Sequence, residues 1–556
     1  MLLVDRNDLN CYITNMKNVL FILIALLLAP PVAVPAADSA KPQTKLNILF
    51  LITDQQTVGA LSCAGNPYVK TPNLDRLAAR GTRFAKSYCT YPLCCPSRGS
   101  LFTSRMPHEL GIYGNFDAEL SAKGVPTMGE LFQAAGYETA YAGKWHVQAP
   151  FPGVVDAAGN HKIPGFEALA IAGRNPHKVD LEKDGKGLTV DPNSADAAIK
   201  FLRRPHPKPF LLVASILNPH DICEFPKCAA LRSLLPKDPA QLPPARPNLR
   251  DHEKLPTALN RLINQKGDWT EQQWREYLWV YYRLTEIADG EVGRVLATLD
   301  QSGLAANTLV VFTSDHGEMM GSHRMVTKQK LYEESAAVPL VIMPPGGQPG
   351  VDQLHLVSGL DIMPTLFDYA GIAVPSSLEG RSLRPLVEGR PTPWREFVVT
   401  ENVSGVDSRM VRTARYKYIL FATGENREQF FDLEQDPGEL KNLMADTSLA
   451  GEVSRHRGLL EQWMKATQDK FGLASTAPKA ARAAKGKPAN AAGQPTQDRA
   501  SLFEKKDKNH RGKLTLEEFL ANHPNPEKAK SNFARWDTNK DGFLDRDEFI
   551  NMGKPK

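Results

Sequence analysis

Residues 47–52, NILFLI, form an uninterrupted apolar run with polar residues on both sides. Similar runs occur at residues 209–217 (PFLLVASIL), 308–313 (TLVVFT) and 338–343 (VPLVIM). Apolar runs of this length are typical of strands that are buried on both faces of a sheet. They predict a sheet at the centre of the molecule.

Amphipathic patterns of helical period lie between these runs, at residues 73–80, 194–202 and 271–299. Strands that alternate with helices predict an α/β fold in which a large, mostly parallel or mixed sheet is flanked by helices.

Polar side chains follow two of the apolar runs closely. Asp54 and Gln55 come after the first run, and Asp315 and His316 come after the third. Because ligands of such folds bind beyond the carboxyl ends of the strands, we expect these four residues to lie at a functional edge of the sheet.

The chain changes character along its length. Residues 45–385 carry the α/β pattern, and residues 386–473 contain strand-like alternation (RMVRTARYKYILF) that predicts a smaller antiparallel C-terminal sheet. Residues 474–500 are rich in Ala, Lys, Pro and Gly and predict a disordered linker. Residues 501–556 regain aromatic and acidic side chains.

The N-terminus has the pattern of an export signal. Lys17 precedes the apolar run 19–29, and small residues follow at 34–37. This order predicts a secretory signal peptide over residues 1–36 and export to the periplasm or the extracellular space. The run is too short to predict a stable membrane span, and a buried helix or an uncleaved anchor is the alternative.

The overall composition is that of a globular protein. The 556 residues are 42% hydrophobic, and the formal net charge is +5. A charge this close to balance gives no reason to expect a nucleic-acid partner. Export permits disulfides, and Cys223 and Cys228 form a candidate pair.

Residues 94–105 read CCPSRGSLFTSR. This stretch resembles the sulfatase signature C-x-P-S-R-x-x-x-[LF]-T-[GS]-R. Further matches to that family follow in order from about residue 45 to 470, and they include GKWH (143–146), NPH (218–220), SDHG (314–317) and the K-x-x-x-Y-E pattern of residues 328–333. The resemblance implies an alkaline-phosphatase-like fold.

The resemblance also implies an unusual nucleophile. In this family a maturation enzyme oxidises the first cysteine of the signature, here Cys94, to formylglycine. A thiol would be a poor reversible carrier of sulfate. An aldehyde hydrate has two hydroxyls on one carbon, so that one attacks sulfur and displaces the alcohol, and the other expels sulfate as the aldehyde forms again.

A calcium site is implied as well, because a hard cation with oxygen ligands suits a sulfate ester. The resemblance assigns Asp54, Asp315 and His316 to the metal, with the Cys94-derived hydrate as a further ligand. Gln55 departs from the commoner second aspartate. It keeps a carbonyl oxygen for the metal but removes one negative charge.

The remaining motif residues receive roles in the same way. Arg98 is expected to hold the hydrate and a sulfate oxygen, and Lys144 and Lys328 to neutralise sulfate oxygens. His146 is expected to assist the hydrate during elimination. His220 is expected to act as general acid to the leaving alcohol or to contact sulfate, and the roles of the two histidines are interchangeable at this point.

The C-terminal residues contain two EF-hand-like loops. Residues 537–548 place the ligands of such a loop in register, namely Asp537, Asn539, Asp541, the carbonyl of Phe543, and Glu548. The loop at residues 507–518 offers Asp507, Asn509 and Glu518, but Arg511 stands where an oxygen ligand belongs. We expect calcium in the second loop and weak or no binding in the first.

These observations predict a sulfuric ester hydrolase that cleaves sulfate monoesters of small molecules or carbohydrates. Two alternatives remain at this stage. One is a phosphonate monoester or phosphodiester hydrolase of the same superfamily. The other is a catalytically silent calcium-dependent binding protein, against which the intact set of motif residues argues.

Overall fold

The structure is a computed structural model that describes residues 45–472, apart from 116–123, 148–161, 172–186 and the shorter gaps 252–254, 264, 267–268, 377 and 404, together with parts of 503–550. The chain divides into two compact units, Met1–Ala474 and Ser475–Lys556. The predicted signal peptide and linker lie outside the described residues. Within the described part, no helix combines the length and the apolar character needed to cross a membrane.

The strands are β1 (Asn47–Asp54), β2 (Thr82–Phe84), β3 (Ser87–Tyr88), β4 (Glu138–Gly143), β5 (Glu167–Ile171), β6 (Phe210–Pro219), β7 (Thr308–Ser314), β8 (Leu340–Met343), β9 (Gly350–Asp352), β10 (Val357–Ser358), β11 (Phe397–Asn402), β12 (Ser408–Thr413), β13 (Tyr416–Phe421), β14 (Glu428–Asp432), β15 (Lys513–Leu514) and β16 (Leu544–Asp545). The helices are α1 (Pro72–Ala78), α2 (Cys94–Thr103), α3 (Pro107–Leu110), α4 (Met128–Ala134), α5 (Gly187–Leu202), α6 (Ala229–Arg232), α7 (Asn260–Ile263), α8 (Glu271–Gln301), α9 (Glu333–Ala336), α10 (Ile362–Tyr369), α11 (Arg384–Val387), α12 (Ala450–Thr467), α13 (Leu516–Leu520) and α14 (Arg546–Ile550).

A central eight-stranded sheet has the order β5-β4-β6-β1-β7-β8-β2-β9. The first five strands in this order are mutually parallel, whereas β8 runs antiparallel to both β7 and β2. The predicted α/β fold with a large mixed sheet is therefore confirmed. The NILFLI run forms the centre of this sheet, between β6 and β7.

Both faces of β1 are covered, as its continuous apolar character predicts. Ile48 and Phe50 belong to one core cluster, which also contains Phe102 of α2. Leu49 and Leu51 belong to another cluster on the opposite face, with side chains from α1, α5 and α8. The alternation of side chains along a strand explains why neighbouring residues enter different cores.

The carboxyl ends of four parallel strands meet at one edge of the sheet. Asp54 ends β1, Asp315 follows β7, His220 follows β6, and Lys144 follows β4. Gly143, between β4 and Lys144, has φ +100°, and a Cβ there would lie 1.9 Å from the Ser215 carbonyl oxygen. Only glycine permits this close approach of β4 to β6, so it allows Lys144 to turn toward the edge.

The smaller C-terminal sheet is also present. Strands β11 to β14 form an antiparallel sheet in sequential order. Side chains of its four strands pack with Val453 and Leu460 of α12. This confirms the antiparallel arrangement predicted for residues 386–473.

The second unit has a small core of its own. β15 pairs with β16 in antiparallel register, with Leu514 opposite Leu544. Four aromatic side chains that flank the two loops pack together in this core: Phe503, Phe519, Phe533 and Phe549.

The expected disulfide between Cys223 and Cys228 is wrong, because both thiols are reduced in this structure. Cys223 turns its sulfur toward the Gln55 amide, with 3.4 Å between Sγ and Nε2. Cys228 lies instead in an apolar cluster with Ile222 and Phe225. The two side chains therefore occupy different surroundings despite their closeness in sequence.

Candidate active site

A compact group of potential metal ligands lies at the carboxyl edge of the central sheet. One ligand atom from each of Asp54, Cys94, Asp315 and His316 lies within 4.8 Å of the other three. All four side chains are buried. Asp54, which follows the first apolar run, and Asp315 and His316, which follow the third, are thus neighbours in the structure.

Helix α2 presents Cys94 to this group as its first residue. The Cys94 sulfur lies 3.1 Å from His316 Nε2, 3.3 Å from Lys328 Nζ and 3.6 Å from Lys144 Nζ. The positive end of a helix favours an anion or a developing negative charge at this position. The surroundings of Cys94 therefore suit both an activated nucleophile and a bound oxyanion.

The same cations act on the thiol itself. Burial and the charge of Asp54 raise the pKa of the Cys94 thiol, but Lys144, Lys328 and His316 outweigh them and leave this pKa below its usual value. A lowered pKa increases the fraction of reactive thiolate. Cys94 is therefore chemically distinct from the buried Cys89, whose pKa burial raises above its usual range.

Arg98 holds the two carboxylates together. Its Nε donates to Asp315 Oδ2 at 2.8 Å, and one terminal nitrogen donates to Asp54 Oδ2 at 3.0 Å. Its other terminal nitrogen donates to the Lys144 carbonyl oxygen at 2.7 Å and to Ser215 Oγ at 2.9 Å. These bonds make Arg98 an organiser of the carboxylates, and its contact with hydrate and sulfate stays a prediction.

The carboxylates differ in their electrostatics. Burial raises the pKa of Asp54, but Lys144 and other nearby cations outweigh it and hold this pKa well below its usual value. The Asp54 carboxylate contacts Lys144 Nζ at 2.6 Å. The pKa of Asp315 is raised by burial and by the adjacent charge of Asp54. A cation shared by both carboxylates would relieve this repulsion.

His316 is oriented as a metal ligand would be. Its Nδ1 lies 3.0 Å from the Gly317 carbonyl oxygen, which can only accept a hydrogen bond. In the neutral ring Nε2 is then unprotonated, and this atom faces Cys94. Together with the carboxylates of Asp54 and Asp315, this donor set fits a divalent cation.

Lys328 reaches the site from a segment with unusual backbone geometry. His323, Thr327 and Gln329 have φ of 51°, 64° and 72°. Left-handed conformations of residues other than glycine are costly and cluster at functional sites. Lys328 Nζ lies 2.6 Å from Gln55 Oε1 as well as near the Cys94 sulfur.

The two predicted histidines occupy different positions. His220 begins a short 3-10 helix directly after β6, and its side chain is 20% exposed, with Nε2 3.9 Å from Asp54 Oδ1. His146 is buried and adopts a left-handed φ of 54°. Burial, followed by the charges of Lys328 and Lys144, lowers the pKa of His220 well below its usual value.

Sequence reasoning missed several residues that support the site. Ser215 bonds Arg98, the Ser97 hydroxyl donates to the Asp315 carbonyl oxygen at 2.5 Å, and Glu318 and Cys223 contact the Gln55 amide. Glu318 could have been suspected, because it directly follows the SDHG motif. Ser97 also carries a signal, because it lies within the signature of residues 94–105. Ser215 and Cys223 carry none, since only the tertiary fold brings them to the site.

The fold and this site are typical of a hydrolase that binds and cleaves anionic esters. Comparison with known proteins makes the class specific. Residues 46–372 match the sulfatase family, and residues 321–466 match the family described as N-sulphoglucosamine sulphohydrolase, C-terminal. The chain belongs to the sulfatase family, and it is a sulfatase.

Characterised relatives and solved structures agree with this assignment. The chain is 32% identical over 454 residues to a Delta 4,5-hexuronate-2-O-sulfatase of Bacteroides thetaiotaomicron, covering 78% of this chain and 92% of that protein. It is 32% identical to an ulvan-active sulfatase of Formosa agariphila, over 78% of this chain and 83% of that protein. The structure of a 2-O GAG sulfatase aligns with a TM-score of 0.67 at 30% identity, covering 77% of this chain and 93% of that one.

Proposed function

We propose that this sulfatase hydrolyses sulfate monoesters of carbohydrates, with a formylglycine made from Cys94 as nucleophile and calcium as the bound cation. The observation that carries the proposal is the position of the Cys94 sulfur, within 3.6 Å of His316, Lys328 and Lys144. A side chain at this position lies among groups that can bind an oxyanion and groups that can ligate a cation.

Asp54, Asp315 and His316 would hold the cation, and Gln55 would add its carbonyl oxygen. When bound, such a cation stabilises negative charge on the ester and on the nucleophile. Calcium accepts this mixed oxygen set, although one nitrogen ligand softens it slightly. Arg98 keeps both carboxylates in place for this task through its hydrogen bonds to each of them.

The remaining residues would bind the substrate and move protons. When formed, the formylglycine hydrate supplies one hydroxyl for attack on sulfur and a second for release of sulfate. Lys144 and Lys328 would neutralise sulfate oxygens. His220, on the partly exposed side of the site, would donate its Nε2 proton toward the leaving alcohol, and His146 would accept the proton of the hydrate.

A carbohydrate substrate is supported by the relatives, which are named for hexuronate-2-O-sulfate and for ulvan. Export of this protein, and maturation by a formylglycine-generating enzyme, are parts of the same proposal. They rest on the apolar N-terminal segment and on the residue 94–105 signature.

We also propose that residues 501–556 form an EF-hand pair that binds one calcium ion, in the loop from Asp537 to Glu548. In support, Asp537 accepts backbone N–H groups of Asp541 and Gly542, so the loop is already curved around its first ligand. In the first loop, the Arg511 guanidinium lies 3.2 Å from both carboxylate oxygens of Glu518. The Arg511 guanidinium would thus take the place of a calcium ion beside Glu518.

The experiment compares sulfate, phosphate and phosphonate esters of one alcohol as substrates of the enzyme produced in a host that forms formylglycine. We expect the sulfate ester to have the highest kcat/KM and Cys94→Ala to abolish turnover. Cys95→Ala is the matched control, because Cys95 is buried in the core and occupies the variable position of the signature. Preference for the phosphonate ester would favour the alternative hydrolase, and an inactive, folded wild-type enzyme that retains calcium binding would favour the silent binding protein.

A further inference from the structure

The Gln55 amide has two ends with opposite hydrogen-bonding character, and each end has a distinct partner. Oε1 accepts a hydrogen bond from Lys328 Nζ at 2.6 Å. Nε2 donates to the Glu318 carboxylate. The Cys223 sulfur lies about equally far from both ends, 3.4 Å from Nε2 and 3.5 Å from Oε1, so it does not distinguish them. The amide thus lies between the catalytic cluster and a carboxylate behind it.

The Glu318 carboxylate is itself held firmly. It is fully buried, and one of its oxygens accepts from Tyr277 Oη at 2.8 Å, from the Met320 N–H at 3.3 Å and from the Thr327 N–H. The other oxygen faces the Gln55 amide. No Lys or Arg nitrogen among the described residues forms an ion pair with it. Its hydrogen-bond donors are therefore neutral N–H and O–H groups, while the Lys330 ammonium acts on it from beyond ion-pair distance.

We propose that Glu318 is a positioning residue that turns the Gln55 carbonyl oxygen toward the cation. This inference rests on the proposed cation site. Gln55 is neutral where the commoner residue is a second aspartate. In this proposal Glu318 supplies the missing negative charge, from behind Gln55 rather than in contact with the metal.

The physical reason is that an ionised carboxylate can only accept hydrogen bonds. A flipped Gln55 would set its carbonyl oxygen against the Glu318 carboxylate and its N–H groups against Lys328 and the cation. Both contacts would be repulsive. Without a carboxylate behind it, the amide would have no comparable preference for one orientation. An aspartate needs no such neighbour, because both of its terminal atoms are oxygens.

The test measures calcium affinity by isothermal titration calorimetry on the full chain, in a background in which Asp537→Ala silences the C-terminal loop. The binding event that Asp54→Asn removes is assigned to the active site. We expect Glu318→Gln to weaken that event by about 10–100-fold, as is typical for residues that orient metal ligands. Glu334→Gln is the matched control, because it neutralises another buried carboxylate that bonds Arg246 and Ser322 rather than Gln55, and it should leave the affinity near that of the parent.

A charge swap separates orientation from a merely structural role. In the double variant Gln55→Glu/Glu318→Gln, the carboxylate at position 55 presents oxygen from both ends, and the amide at position 318 can donate to it. Its own carbonyl oxygen can still accept from Tyr277. We expect this variant to recover most of the affinity that Glu318→Gln loses, with unfolding transitions confirming that each variant is folded.

Three outcomes are distinguishable. Unchanged affinity in folded Glu318→Gln, or a double variant as weak as the single one, would overturn the inference while leaving the proposed function intact. A parent protein with no calcium event sensitive to Asp54→Asn would instead overturn the proposed cation site.

Discussion

His220 and His146 are interchangeable in the sequence, but their positions in the structure differ. His220 is partly exposed and close to Asp54, whereas His146 is buried in a left-handed backbone conformation. The leaving alcohol belongs to the larger part of the substrate and needs the open side of the site. On this geometry we propose His220 as the proton donor.

We predict that His220→Asn lowers kcat for an alkyl sulfate by about 10²–10⁴-fold, since a poor leaving group needs a proton. The loss should be much smaller for 4-nitrophenyl sulfate, whose leaving group departs without one. Steady-state kinetics with both esters measures the difference. His146→Asn is the comparison and should slow both esters alike; equal losses in His220→Asn would remove the general-acid role.

At the level of single residues, the sequence predicted which side chains gather at the candidate site, but not the side chains that hold them there. Cys94, Asp54 and Asp315 could be found because each lies in a motif or directly after a strand. The pairing of Gln55 with Glu318 could not, because contacts between residues 263 positions apart depend on the tertiary fold.

Among the structural elements, the short helix α3 has an ionisable contact with the C-terminal sheet. His108 Nδ1 lies 2.7 Å from Glu401 of β11, and its Nε2 lies 3.1 Å from the Thr467 carbonyl oxygen at the end of α12. Burial lowers the pKa of His108, but the hydrogen bond and the charge of Glu401 outweigh it and raise this pKa to about 9. The imidazolium therefore links α3 to the C-terminal sheet.

We predict that this link weakens as the pH rises. Because the folded-state pKa is raised, its stabilisation is fully present below pH about 6.5 and is lost as the pH passes through about 9. The difference in free energy of unfolding between wild type and His108→Gln should be roughly 3 kcal/mol near pH 6 and close to zero near pH 10. Denaturant unfolding at several pH values measures it.

His456→Gln serves as the control for that experiment, because burial lowers the pKa of His456. The pH dependence of its effect on the free energy of unfolding therefore has the opposite sign, because protonation of His456 at falling pH destabilises the folded state. A difference for His108→Gln that does not change between pH 6 and pH 10 would contradict the account.

The elements themselves were predicted unevenly. The strand at residues 47–52 and the long helix α8 follow from apolar periodicity. The reversed direction of β8 does not, because an apolar run has the same pattern in a parallel or an antiparallel strand. Helix α12 ends at Thr467, where Gln468 adopts a left-handed φ of 57°.

For the molecule as a whole, the division into two compact units leads to a further prediction. Every residue of the candidate active site lies in the first unit. We therefore expect removal of residues 501–556 to leave kcat/KM for a small aryl sulfate near that of the full chain. A folded truncation without activity would show that the second unit contributes to the site.

The central claim is that the side chain at position 94 acts as an aldehyde hydrate. Its most direct test is mass spectrometry of the peptide that contains residue 94, from active enzyme made in a maturation-competent host. Conversion of cysteine to formylglycine replaces CH₂SH by CHO and should lower the peptide mass by about 18 Da. A fully active enzyme whose peptide retains the unmodified cysteine mass would contradict the account.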